Sequence, residues 1–166
     1  FQALADRYGV AALRASTLDL IDYAEELTRA ELLELPDGQW DFEDFLDDDG
    51  FQENPIRIVA TLVKKNDELT VDFAGTDPQV KGSINMPFSF TASSVYACIR
   101  SIMDPSIPNN EGFFRPITVI AEPGSFVHCT HPAPVAARGL GASRVTDCVW
   151  GALAQMLPDK VFACCV

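Results

Sequence analysis

Ile56-Arg57-Ile58-Val59-Ala60-Thr61-Leu62-Val63-Lys64 is followed, after Lys65-Asn66-Asp67, by Glu68-Leu69-Thr70-Val71-Asp72-Phe73-Ala74. Ile56, Ile58, Ala60 and Leu62 alternate with Arg57, Val59, Thr61 and Val63, the period-2 pattern that puts one set of side chains on each face of a strand. Leu69, Val71 and Phe73 repeat the pattern against Thr70 and Asp72. A short polar turn between two such runs predicts an antiparallel hairpin with one buried face. The fold is read outward from this hairpin.

Upstream, Gln39–Leu46 predicts a further strand, with Trp40 and Phe42 alternating with Asp41 and Glu43. Before it, Val10–Leu35 reads as one long amphipathic helix. Leu13, Thr17, Leu20, Ala24, Leu27 and Glu31 form its inward stripe, flanked by Leu18, Ile21 and Leu35. Asp19, Asp22, Glu25, Glu26 and Arg29 lie on the other, solvated face, and Pro36-Asp37-Gly38 stops the helix. Downstream, Thr91–Met103 predicts a second helix, capped by Thr91 or Ser93, with Val95, Cys98, Ile99, Ile102 and Met103 inward. Ser143 is expected to cap a third, running to Leu157, with Val145, Cys148, Val149, Ala152, Leu153 and Met156 inward. Short strands are expected near Pro116–Ala121 and Ser125–Cys129, and Ala136–Ala142 reads as a small, flexible loop. The expected fold class is α+β (mixed α/β), with helices packed on a largely antiparallel sheet. It divides into an acidic helical part (1–36), a sheet and loop part (37–142) and a closing helix (143–157).

The charge is lopsided. Residues 1–55 hold fifteen acids against three Lys/Arg, while the rest of the chain is balanced. An acidic face of that size repels nucleic acid and anionic membrane, and no apolar run reaches the length of a membrane span. Five cysteines without C-x-x-C or framework spacing point to a reducing, cytoplasmic compartment, and the first residues lack a signal peptide.

Leu46-Asp47-Asp48-Asp49-Gly50 invites a calcium reading and fails it. With Gly sixth, the first and last ligand positions of an EF-hand fall on Phe45 and Ile56; a tight acidic turn is expected instead. No nucleophile elbow and neither glycine-rich phosphate motif occurs. The stretch Pro108–Pro134 holds five of the eleven prolines and both histidines, loop chemistry of the kind that carries sites. His128 and His131 form H-x-x-H around Cys129. They are weak metal candidates, because in extended backbone residues three apart face opposite ways; the alternative is a solvent-facing or internally bonded pair. Arg115 suits a bidentate grip on carboxylate or phosphate, or a loop-fixing bond to carbonyls. Asn85, Asn109, Asn110 and Arg138 are the other polar loop candidates for substrate binding, the asparagines also being good turn formers. No catalytic residue is assigned.

The order of motifs carries a resemblance. Leu35-Pro36-Asp37-Gly38, Phe45-Leu46-Asp47-Asp48-Asp49-Gly50 and Val71-Asp72-Phe73-Ala74-Gly75-Thr76 come first. They are followed by Gln79-Val80-Lys81-Gly82-Ser83-Ile84-Asn85, Ile107-Pro108-Asn109-Asn110-Glu111-Gly112, Arg115-Pro116-Ile117, Pro123-Gly124-Ser125 and Pro132-Ala133-Pro134-Val135-Ala136-Ala137-Arg138. From about Tyr8 to Pro158 the chain resembles the hydantoinase B/oxoprolinase family. The resemblance implies an internal portion of a longer subunit in a hetero-oligomer with an ATP-binding, hydantoinase A-type partner. Together they would open cyclic amides such as hydantoin or 5-oxoproline with ATP hydrolysis and a divalent metal. Similar proteins carboxylate acetone or acetophenone, and a non-catalytic scaffold for the partner is the remaining alternative. The family's His- and Asp-containing segment associated with metal lies before this portion, so no metal ligand transfers. The tail Phe162–Val166 departs from the expected continuation.

Overall fold

The computed structural model describes residues 1–160; the tail Phe162–Val166 lies outside the described residues. At its centre is the predicted hairpin, β2 (Ile56–Lys65) and β3 (Glu68–Asp72), turning through Asn66 at φ 53°. β1 (Gly38–Leu46) pairs antiparallel with β2, in a register that sets Trp40 opposite Leu62. β4 (Ile117–Ile120) pairs with β3 in parallel, giving a mixed sheet of order β1-β2-β3-β4. A parallel partner needs a long crossover, and the segment between β3 and β4 supplies it with α3 (Phe88–Ile102) and the short α4 (Glu111–Phe114).

The inward hairpin residues are those the alternation selects: Ile56, Ile58, Ala60, Leu62, Leu69, Val71 and Phe73 are all buried. They meet Val95, Ile99 and Ile102 of α3 and Val145, Val149, Ala152 and Leu153 of α5 (Arg138–Met156), which lies across β1 and β2. Lys64 takes the last inward position of β2. Its side chain is 2% exposed, and its ammonium reaches Asp37 Oδ1 at 2.7 Å. The stem is buried while the charge is carried to the rim, as long cationic side chains do.

The helices correct the sequence reading in four places. α2 (Val10–Leu33) starts where expected and ends two residues early, and an unexpected short helix, α1 (Gln2–Tyr8), precedes it across Gly9 (φ 81°). Only the C-terminal half of α2 meets the fold. Its buried residues are Ala24, Thr28 and Leu32, so the stripe is rotated from the expected one, and Leu18 and Leu20 stand 49% and 51% exposed. α3 begins at Phe88 with no side-chain cap: the buried Thr91 hydroxyl donates to Val127 O at 2.6 Å, and Ser93 donates back to Ser89 O. α5 begins at Arg138, so the expected loop is helical and Ser143 sits inside, donating to Gly139 O. Gly141 makes that start possible: a Cβ there would stand 2.9 Å from Ile84 O and 3.0 Å from Met86 and Phe126.

Ser125–Cys129 is not a strand. Phe126 and Val127 are both buried, and the segment's backbone makes one bond to Asp77 and two to Met86, with one isolated bridge between Ser125 and Pro78. The acidic turn forms as expected. Asp48 Oδ1 accepts from Gly50 N, Asp49 Oδ1 from Phe51 N and Gln52 N, and Asp49 Oδ2 from Gly82 N. These amides hold the Asp49 carboxyl below its usual range, the Gln52 and Phe51 bonds most strongly. No described helix is long and apolar enough to cross a membrane.

Candidate functional site

The five polar loop candidates fall into three environments. Asn110 and Arg115 belong to a clamp on α2. Asn110 caps α4, its Oδ1 accepting from Gly112 N at 2.8 Å while its Nδ2 donates to Leu20 O at 3.3 Å. Arg115 donates to Asp22 Oδ1 at 2.8 Å and Glu25 Oε2 at 2.9 Å. Arg29 continues the network from Glu25 to Asp67 in the hairpin turn. Part of the acidic face of α2 therefore binds the chain itself. The Glu25 carboxyl is held below its usual range by hydrogen bonds from Arg115 and then Arg29. Gly112 permits the close approach: a Cβ there would lie 1.8 Å from Ile21 O.

Asn85 and Arg138 sit together around the Pro134–Val135 backbone. Asn85 is fully buried; its Oδ1 accepts from Val80 N, and its Nδ2 faces the carbonyls of Val80, Gly82 and Pro134 at 2.8–3.1 Å. Arg138 donates to Val135 O, and its guanidinium lies 5.3 Å from the Phe90 ring centre.

The histidines do not converge. His128 Nδ1 lies 2.9 Å from the Ala121 carbonyl, a contact that places the proton on Nδ1, and its ring rests 4.8 Å from that of Phe88. His131 is exposed. Among the described residues no group of three His, Cys, Asp or Glu is placed to hold a metal ion, so the residues present do not fit one. Burial, then the nearby Asp44 and Asp147 charges, pushes the Cys148 thiol up to about 12, and burial raises that of the half-buried Cys129, so neither is activated as a thiolate.

Asn109 stands apart. It lines a cleft of about 540 Å³ with Ser93, Tyr96, Arg100 and Ser101 of α3 and Phe114 of α4. The Tyr96 and Phe114 rings lie 4.4 Å apart, tilted by 34°. Arg100 donates to the carbonyls of Asp104, Pro105 and Ile107 and lies over Phe113. Ser93 and Ser101 donate back into α3. Sequence reasoning picked out Asn109 but not Tyr96 or Phe114. The spacing of Ser93, Tyr96, Ala97 and Arg100 marks a second face of α3, whereas its pairing with Phe114 depends on how α4 docks.

These features describe an α+β unit with an aromatic, largely uncharged cleft and, among the described residues, no clustered metal set. The chain belongs to the Hydantoinase B/oxoprolinase family, whose sequence model matches residues 1–166. It is 36% identical over 169 residues to a protein of Pseudomonas sp. (strain NS671) that is named as a B-type D-/L-hydantoinase subunit, covering 95% of this chain and 28% of that one. Among solved structures, the ATP-dependent caprolactamase from Pseudomonas jessenii superposes with a TM-score of 0.85 at 30% identity, over 95% of this chain and 28% of that one. A nucleotide-free acetone carboxylase superposes with a TM-score of 0.81 at 12% identity, over 96% of this chain and 23% of that one, a likeness of fold alone. The chain thus spans about a quarter of these relatives' length.

Proposed function

We propose that the chain is an internal portion of the B-type subunit of an ATP-dependent enzyme that opens a cyclic amide, the class that includes hydantoin, 5-oxoproline and caprolactam. In this reading an A-type partner subunit binds ATP in a cytoplasmic hetero-oligomer. A divalent metal, where the complete enzyme uses one, is held by residues outside this chain. The observation that carries the reading is the match to the ATP-dependent caprolactamase, which extends along nearly the whole chain in both sequence and fold.

The chain's own part is structural and spatial. The clamp of Asn110, Gly112 and Arg115 fixes α4 on α2, and α4 in turn presents Phe114 to the cleft. Asn85 fixes the loops around Val80, Gly82 and Pro134. The test is to co-express the complete subunit with its A-type partner and measure ADP release and ring opening with each cyclic amide, against acetone plus bicarbonate. Lactam-dependent ADP release with ring-opened product supports the reading. ADP release with acetone and bicarbonate alone replaces it with a carboxylase, and ready assembly without turnover of either replaces it with a scaffold.

A further inference from the structure

The cleft between α3 and the Asn109–Phe114 segment has one chemical property that the other candidate positions lack: two of its polar residues, Tyr96 and Asn109, have uncommitted side chains. Asn85, Asn110 and Arg115 direct their donors and acceptors to partners within the chain. Among the described residues, neither the Asn109 carboxamide nor the Tyr96 hydroxyl has a hydrogen-bond partner, and both residues line the cleft. The serines beside them are turned back into α3, and Arg100 is engaged with three carbonyls. What remains facing a ligand is an aromatic wall, one primary carboxamide and one phenol. At about 540 Å³ the cleft is of ordinary ligand-site size.

The amide of a small ring is locked cis, so its N–H and C=O point to the same side. A linear secondary amide is trans and points them to opposite sides. A primary carboxamide presents one donor and one acceptor along a single edge. It therefore matches a cyclic amide with two parallel hydrogen bonds and a linear amide with only one. The aromatic wall covers the apolar ring face, and the lack of an uncommitted anion or ammonium suits a neutral ligand.

We infer that this cleft binds the cis-amide edge of a neutral cyclic amide, with the Asn109 carboxamide as its hydrogen-bonding partner and the Tyr96 and Phe114 rings as its wall. The inference rests on the cyclic-amide reading for its choice of ligand, and its test does not require turnover. The complete subunit is titrated with caprolactam, with N-methylcaprolactam, and with a linear secondary amide of the same size, by calorimetry or NMR.

Caprolactam is expected to bind most tightly. Asn109→Ala removes both parallel hydrogen bonds and is expected to weaken it at least about tenfold, the combined effect of two net hydrogen bonds at the low end of their range. N-methylation, which removes the lactam donor and so one of the two bonds, is expected to weaken it less, by about three- to tenfold. Asn109 is exposed and without a partner, so the variant should fold, and circular dichroism checks this. Equal affinity of wild type and Asn109→Ala, equal affinity for the N-methyl ring, or no caprolactam binding each overturns the inference. Lactam turnover with an unchanged KM in Asn109→Ala removes the cleft and leaves the hydrolase standing. Asn109-dependent binding without ATP-dependent ring opening does the reverse.

Discussion

Replacing Gly112 by alanine tests the clamp most directly. The added Cβ would stand 1.8 Å from Ile21 O and 3.0 Å from Glu25 N, both backbone atoms of a helix that has no rotamer through which to yield. An ordinary carbon–oxygen contact is about 3.3–3.6 Å, so α4 has to withdraw from α2 by roughly 1.5 Å. Withdrawal stretches the Asn110–Leu20 bond, already 3.3 Å, and both Arg115 ion pairs, and it pulls the fully buried Phe113 out of register. Overpacking of this kind costs about 1–3 kcal/mol. Restricting the unfolded chain by Gly→Ala returns about 0.4–1 kcal/mol where the native backbone tolerates it. The net expectation is about 1–2 kcal/mol of destabilisation, a fall in Tm of roughly 2–8 °C for a chain of this size. Urea titration followed by far-UV circular dichroism measures it. The control is Gly139→Ala: nothing lies within 4 Å of a Cβ there and the residue is helical, so that variant should gain about 0.5–1 kcal/mol. A Gly112→Ala midpoint equal to or above the parent's refutes the close approach and, with it, the clamp.

Asn85→Ala should cost at least about 2 kcal/mol in the same titration, because it strands the Val80 amide and the carbonyls of Val80, Gly82 and Pro134; a change within the scatter of surface substitutions counts against Asn85 as the hub of those loops. Asp37 is held below its usual range, first by the bond from Lys64, and Glu25 by those from Arg115 and Arg29. A carboxyl depressed in the folded state contributes stability that is fully present above its unfolded pKa of about 4 and is lost as pH falls through the folded value. Lys64→Met should therefore flatten the acid limb of the stability curve below about pH 4, and an unchanged limb contradicts the pairing. Cys148, pushed up to about 12, should resist iodoacetamide at pH 8 until urea unfolds the chain; site-resolved mass spectrometry that finds it alkylated in the native state sinks this expectation.

The hairpin and the apolar faces of α3 and α5 were legible because period 2 and period 3.6 are local properties of side-chain direction. Where the sequence misled, a distant residue decided. The buried stripe of α2 is set by where α4 and the sheet touch it, so Leu18 and Leu20 stay half exposed although the periodicity makes them as good as Leu32. Four residues, Glu-Gly-Phe-Phe, have too little propensity to announce a helix; α4 exists because Gly112 lets it settle onto Ile21 and Asn110 caps it. The early start of α5 likewise rests on Gly141 passing beneath Ile84 and Phe126, which turns a stretch of small residues that reads as a loop into helix.

The same logic separates two adjacent asparagines that the sequence could not rank. Asn110 is drawn to Leu20, ninety positions away, and its carboxamide is used up in holding α4. Asn109 lines the cleft walled by Tyr96 and Phe114, and no described group is hydrogen-bonded to its carboxamide. A polar side chain already satisfied by the fold has little left to offer a ligand, and one left unsatisfied beside an apolar surface has a whole hydrogen-bonding edge. The division of labour between positioning and recognition is therefore decided by which asparagine α2 reaches first. It follows that Asn109→Ala and Asn110→Ala should have opposite signatures, the first in ligand affinity and the second in stability.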